Sequence, residues 1–228
     1  AGIDEVGRGP LCGPVVSSAV ILPKKLEIEG INDSKKLSAK KRSSLFNTIK
    51  NSAIAIGVGV VHEDVIDDIN ILESTILSMR KAIEDLNITP DVILVDGNIK
   101  DLTDIKQMSI IKGDSKSQSI AAASIVAKVT RDRMMQQYDL IFPGYGLSRN
   151  MGYGTREHIR AIRSRFSTPI HRRSFNPVSD YIPKFKDIRD IGILSVELAA
   201  IEMVKSGHEI LRIKDKTLKT IDIISSFN

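Results

Sequence analysis

The sequence predicts an α/β domain built on a mixed central sheet flanked by helices. Three observations carry this. Two β-rich stretches, "AGIDEV" and "PVVSSAVIL", flank a glycine turn as a hairpin; a third strand follows after one helix; from there helices and strands alternate, an order that lays helices on the faces of a sheet. A further Ala-rich segment, "SIAAASIVAKVTRDRMMQQY", has the small side chains that let a helix pack closely on such a sheet.

The first two strands are short, rich in β-branched residues and bounded by Gly or Pro. "LSAKKRSSLFNTIKN" reads as a helix capped near Ser38, with Leu45, Phe46 and Ile49 on one side and basic residues on the other. "SAIAIGVGVV" is the third strand. Leu72, Ile76, Met79, Ile83 and Leu86 recur at helical spacing from Ile71 onward, and Pro90 stops that helix before a buried strand over 91–96. A short strand near "KQMSII" precedes the Ala-rich helix, and "REHIRAIRSRF" is an amphipathic helix with its arginines outward. No internal repeat is present.

The 228 residues, 42% hydrophobic and without a polar low-complexity tract, suit one folded domain with a modest attachment. No apolar run reaches the roughly 18 residues of a membrane span, and the first residues read as a strand rather than a signal peptide, so a soluble cytoplasmic protein is expected. The single cysteine, Cys12, excludes an internal disulfide. Histidines at 62, 158, 171 and 208 show no zinc spacing, so any metal is expected on oxygen ligands, with His158 and His171 supporting structure. The net charge of +5 fits a polyanionic partner and also an ordinary soluble protein.

Four acids stand at strand ends or loop starts: Asp4 and Glu5 before "VGRG", Asp96 in "LVDG" and Asp114 in "KGDS". A carboxylate on a buried apolar strand is costly unless something cationic sits over it. Mg²⁺ or Mn²⁺ is such a cation, since both favour oxygen ligands. Turn chemistry is the competing explanation, because Asp-Gly at 96–97 is a common turn pair and Asp114 can cap the following helix. Successive strand residues point to opposite faces, so Asp4 and Glu5 share a site only if the strand bulges at Glu5 or its backbone carbonyl serves. In "GRGPLCG" the spacing is neither a dinucleotide fingerprint nor a P-loop. Glycines at 7 and 9 let backbone approach a ligand, with Arg8 facing phosphate or sugar; a tight hairpin is the alternative. Ser124 and Lys128 are one residue too far apart for a serine–lysine nucleophile pair.

Six ordered blocks, "GIDEVGRGPLCGPVVSSAVIL", "INDSKKLS", "VDG", "GDSKSQSIAAASIVAKVTRDR", "GYGTREH" and "HRRSFNPV", resemble bacterial-type ribonuclease HII over residues 1–178. The resemblance implies an RNase H-like fold and a metal-dependent endoribonuclease. Its substrates would be RNA–DNA hybrids and DNA duplexes containing ribonucleotides, cut 5′ of the ribonucleotide to leave 3′-hydroxyl and 5′-phosphate. Carried across, Asp4, Glu5, Asp96 and Asp114 are the catalytic and metal-binding acids, with Mg²⁺ or Mn²⁺ as two ions in the substrate complex. Gly7, Arg8 and Gly9 match the motif that reads the 2′-hydroxyl, and Tyr153 matches the tyrosine that stacks at the RNA–DNA junction. Lys35, Lys36, Arg172 and Arg173 could neutralise phosphates or be solvated surface charges. A monomer without membrane contact is expected. A catalytically silent relative would lack one of the acids, and an integrase or resolvase on the same fold has no need of a 2′-hydroxyl reader. Residues 179–228 are expected to form a docked helical extension of unknown role, with Leu194, Leu198, Ile201 and Val204 as its apolar side.

Overall fold

Strand pairing gives one sheet of five in the order β3-β2-β1-β4-β5. The computed structural model describes residues 1–31, 37–184, 188–213 and 223–227. Strand β1 (Gly2–Val6) pairs antiparallel with β2 (Val15–Ile21), and β2 with β3 (Ala55–Val61). On its other side β1 runs parallel to β4 (Ile93–Asp96), which runs parallel to β5 (Gln107–Ile110). The mixed sheet expected from the element order is therefore present.

Alternation along the strands loads both faces. Ile3, Ala19 and Val95 pack with Met79, Ala82 and Ile83 of α2 (Glu63–Glu84). On the other face Val20 packs with Leu45 and Ile49 of α1 (Ala39–Ser52) and with Ala121, Ala122 and Ile125 of α3 (Gln118–Ile141). Helix α1 starts where the sequence places it, with Ser38 Oγ accepting the Lys41 N–H. The alanines of α3 let its backbone approach so closely that a β-carbon at Gly2 would strike the backbone of Ser119.

Helix α2 begins eight residues before the periodic stretch at Ile71. Asn70 interrupts it with φ 70°, and its Oδ1 accepts the N–H groups of Leu72 (2.9 Å) and Glu73 (3.2 Å). The second segment is thus capped by an asparagine lying within the element, as N-caps require. The preceding turn carries Asp64, Asp67 and Asp68, and so hides from an apolar-period reading.

The chain forms two compact units. One comprises Ala1–Arg8 and Pro14–Arg131 and holds the sheet; the other comprises Gly9–Gly13 and Asp132–Asn228. The second unit contains the end of α3, α4 (Leu147–Asn150), α5 (Arg156–Arg165), α6 (Ile188–Lys205), β6 (His208–Ile213) and β7 (Ile223–Phe227). Its core joins Met135, Tyr138 and Ile141 of α3 to Ile162 of α5 and Ala200, Ile201 and Val204 of α6.

The expected helical extension needs correction. It contains α6, but Gly207, with φ 89°, follows the helix, and β6 and β7 then pair antiparallel as a two-stranded sheet. The buried side of α6 is Val196, Ala200, Ile201 and Val204; Leu198 is exposed and Leu194 half-buried. Of these, Ala200, Ile201 and Val204 pack in the second unit's core, on a stripe rotated from the one drawn through Leu194 and Leu198.

Candidate active site

Strands β1 and β4 bring two acids side by side. The register Ile3↔Val95 makes Asp4 and Asp96 the next residues on neighbouring parallel strands, and laterally paired residues share a face. That face is the one α3 covers. There Asp4 accepts a hydrogen bond from Ser124 of α3 and another, at 2.8 Å, from the Glu5 N–H. Asp96 Oδ1 accepts the Gly113 N–H at 2.6 Å, and Gly113 opens the 3-10 turn Gly113–Ser115 that carries the buried Asp114. Carboxyl ends of parallel strands are where open α/β sheets place their chemistry.

Glu5 reaches the same region without a bulge. The β1–β2 register runs unbroken from Gly2↔Val20 to Val6↔Val16, so of the two alternatives for Glu5 the bulge is absent. Charge shows the proximity instead. Burial pushes the Asp4 carboxyl up to about 8, the negative charge of Glu5 adds to this, and Asp96 adds less, while the Ser124 hydrogen bond opposes. Glu5 is raised as well, first by burial, with Arg8 opposing and Asp96 contributing. Arg8 Nη1 stands 3.5 Å from Glu5 Oε1 and remains half exposed. A buried carboxyl that feels the charge of two further carboxylates, Glu5 and Asp96, offers the oxygen ligands a hard divalent cation favours.

The glycine turn is held from beneath by buried arginines. In the first unit, Arg131 is wholly buried and its Nε donates to Pro14 O at 2.8 Å. Gly7, at φ 99°, leaves room for that side chain, and a β-carbon there would collide with it. In the second unit, Arg172 is also wholly buried. Its Nη1 donates to Pro10 O at 2.8 Å, and its Nε and Nη2 donate to Gly13 O at 3.0 and 2.8 Å. The phosphate contact expected of Arg172 is therefore replaced by a supporting role, because its donors face loop carbonyls. Arg173 is exposed and keeps an outward charge. Lys35 and Lys36 lie outside the described residues. Gly9 is exposed, and a β-carbon on it would lie 3.7 Å from Tyr153 Cε1, an ordinary contact; Tyr153 itself is 44% exposed.

Cys12, His158 and His171 are buried together, with potential ligand atoms within 4.8 Å of one another. Sequence spacing does not reveal this, because the residues converge only through the fold. Both histidines are neutral in the folded protein. Burial and the adjacent His158 push His171 down to about 3, and burial lowers His158. Unfolded histidines take up protons near pH 6.5, so His171 makes stability fall as pH drops below about 6.5 towards 3, by up to about 1.4 kcal/mol per pH unit, and His158 acts in the same direction. Urea midpoints at pH 7, 6 and 5 should decline accordingly. The measurement is cleanest in an Asp4→Asn background, since Asp4 contributes with the opposite sign in the metal-free protein.

Sequence reasoning missed Ser124 as a partner of Asp4 and missed Arg131. The signal was available: positions 120, 124, 127 and 131 fall on one helical face, and its other members are apolar.

A five-stranded mixed sheet with acids at adjacent parallel strand ends, backed by helices on both faces, defines a nuclease of RNase H-like fold. The family model for ribonuclease HII matches residues 1–178. Ribonuclease HII of Enterococcus faecalis is 57% identical over 182 residues, spanning 80% of this chain and 71% of that protein. Ribonuclease HII of Listeria innocua is 53% identical over 189 residues, spanning 83% and 72%. Among solved structures, ribonuclease H2 of Pyrococcus horikoshii OT3 superposes with TM-score 0.67 at 28% identity, covering 79% of this chain and 95% of that one. The RNase HII seen in complex with PCNA from Archaeoglobus fulgidus gives 0.65 at 26%, covering 83% and 98%. The chain belongs to the ribonuclease HII family: it is a type 2 ribonuclease H, an endonuclease acting on RNA paired with DNA. Among the described residues, no helix is long and apolar enough to cross a membrane.

Proposed function

We propose that this protein cuts DNA duplexes on the 5′ side of an embedded ribonucleotide as well as the RNA strand of continuous hybrids, leaving 3′-hydroxyl and 5′-phosphate ends. The observation that carries the reading is the placing of Asp4 and Asp96 just past the last paired residues of adjacent parallel strands, with burial and the charge of Glu5 pushing the Asp4 carboxyl up to about 8. Such a group is poised to exchange its proton for a cation. Mg²⁺ or Mn²⁺, two ions in the substrate complex, would be held by Asp4, Asp96, Asp114 and Glu5, the last through its side chain or carbonyl. A divalent ion there supplies Lewis-acid activation of water and neutralises charge building on the phosphate.

The chain's own residues do the rest. Ser124 orients the Asp4 carboxylate, and the Gly113 N–H orients that of Asp96. Gly7, Arg8 and Gly9 read the 2′-hydroxyl, which separates RNA from DNA, and Tyr153 stacks at the junction. Arg173, with Lys35 and Lys36, neutralises phosphates. The enzyme acts as a cytoplasmic monomer. The test is end-mapped cleavage of three substrates, a one-ribonucleotide duplex, a continuous hybrid and plain DNA, each with Mg²⁺, Mn²⁺ or chelator. Metal-dependent cuts 5′ of the ribonucleotide are expected; cleavage of plain DNA, or cuts surviving chelation, contradict the reading.

Substitutions in the glycine turn separate reading from folding. Gly9→Ala meets nothing closer than Tyr153, so the variant should fold normally yet lose cleavage of the one-ribonucleotide duplex. Gly7→Ala should lower stability by about 1–3 kcal/mol, because φ 99° and the Arg131 side chain both oppose a β-carbon. Tyr153→Ala should cut junction cleavage about tenfold or more, the worth of one stacking contact, while salt-dependent duplex binding holds. Equal loss of affinity for all duplexes, with normal cleavage per bound complex, would refute the stacking role.

A further inference from the structure

The second unit holds a directed chain of hydrogen bonds that ends on Tyr153. It starts at Thr168, whose N–H donates to His171 Nδ1 at 3.0 Å and whose Oγ1 lies 2.8 Å from the same nitrogen. A backbone N–H can only donate, so Nδ1 of His171 is bare and its proton sits on Nε2. His171 Nε2 lies 3.1 Å from His158 Nε2, so the His171 ring donates and the His158 ring accepts. The His158 proton is then on Nδ1, 3.0 Å from the Tyr153 carbonyl oxygen, to which it donates. Each atom admits one role, and the tautomers of the two rings are opposite.

This polarity argues against a metal. A cation bound to both Nε2 atoms would move the His171 proton onto Nδ1, against the Thr168 N–H. Cys12 nearby is explained by its β-bridge to His171. The strand-like segment at His171 also holds the glycine turn: Arg172 N–H donates to Leu11 O at 2.9 Å, and Leu11 N–H to Gly152 O at 2.8 Å. The Tyr153 carbonyl, Gly9 to Gly13 and His171 thus belong to one bonded frame. The Tyr145 ring lies 5.4 Å from that of His171 and 6.4 Å from that of His158, so the frame is packed as well as bonded.

We propose that His158 and His171 are positioning residues for ribonucleotide recognition, holding the Tyr153 backbone so that its ring stands beside Gly9. The inference rests on the junction-reading role of Tyr153. Burial lowers the pKa of both rings and so favours the neutral forms that the hydrogen bonds of this strut require.

Two amides at position 171 separate positioning from bulk. His171→Gln places an N–H near the lost Nε2 and keeps the donor to His158; His171→Asn keeps only the acceptor facing Thr168. The readout is kcat and KM on the one-ribonucleotide duplex against the continuous hybrid, beside the thermal midpoint. His171→Asn should lower kcat on the one-ribonucleotide duplex about tenfold relative to the hybrid with KM little changed, and His171→Gln should restore most of it. Losses equal on both substrates that follow the thermal midpoint, with no difference between Gln and Asn, overturn the inference. Tyr153→Ala is the control. If it leaves the substrate ratio unchanged, the junction reading fails and takes the strut with it; if it lowers the ratio and folded His171→Asn does not, the strut alone fails. Ring ¹⁵N shifts of the unmodified protein give an independent check should a variant not fold. They should show an Nε2–H tautomer at His171 and an Nδ1–H tautomer at His158, and the same tautomer at both contradicts the chain.

Discussion

Asp4→Asn abolishes cleavage, by about three orders of magnitude or more, while the metal-free protein becomes more stable at alkaline pH. Both effects follow from one carboxyl. In the proposed role of metal ligand, the charged oxygen is needed to hold the cation, and an amide oxygen does not replace it. As a buried group, Asp4 is pushed up to about 8 when folded, against an ordinary aspartate value of 3.8 when unfolded. Between these values the folded protein keeps a proton that the unfolded chain has released. Its stability therefore falls as pH rises from about 4 to about 8 and levels off beyond. Asn removes that dependence, so the gain in thermal midpoint should be largest at pH 8–9 and small near pH 5. Asp96→Asn should also end cleavage. Near-normal turnover by either variant in saturating Mg²⁺ or Mn²⁺ would refute their place in the centre.

Arg172→Ala costs about 3 kcal/mol of stability and leaves the salt slope of duplex binding unchanged. The guanidinium is wholly buried and donates to Pro10 O and Gly13 O, so truncation orphans two carbonyls and opens a cavity. For a chain of this length that lowers the thermal midpoint by roughly 6–12 °C. Arg173→Ala does the reverse: exposed and outward, it should leave the midpoint nearly unchanged and flatten the log affinity–log salt slope by about one contact. A flattened slope in Arg172→Ala would show that the buried guanidinium reaches phosphate after all.

That pair also marks the limit of what sequence carries here. "HRRSF" presents two arginines of equal chemistry, and only the turn around them decides that one enters the core and its neighbour meets solvent. The acids were legible because a carboxylate closing an apolar strand has few structural uses, and because their blocks follow a family pattern in order. Glu5 was harder. Alternation alone puts it across the sheet from Asp4; what links it to Asp4 and Asp96 is charge felt beyond the last β1–β4 pair at Ile3↔Val95. The α/β order and the Ser38 cap came from local rules. Asn70 did not, since a cap hidden inside one helix leaves no break in composition. His158 and His171 are separated by a helix and a turn, and the sense of their hydrogen bond depends on a backbone N–H at Thr168. The β6–β7 pair was not legible from the helical spacing of Leu194 to Val204, which says nothing of the residues beyond it; Gly207 was the available stop signal.

Calorimetric titration of the substrate-free protein with Mn²⁺ or Mg²⁺ at pH 7, in buffers of different ionisation enthalpy, tests most directly that the buried acids form the metal centre. Because Asp4 is largely protonated at that pH, binding should release close to one proton, and Asp4→Asn should lose both the proton release and most of the affinity. Metal binding that releases no proton, or that survives unchanged in Asp4→Asn, would contradict the account.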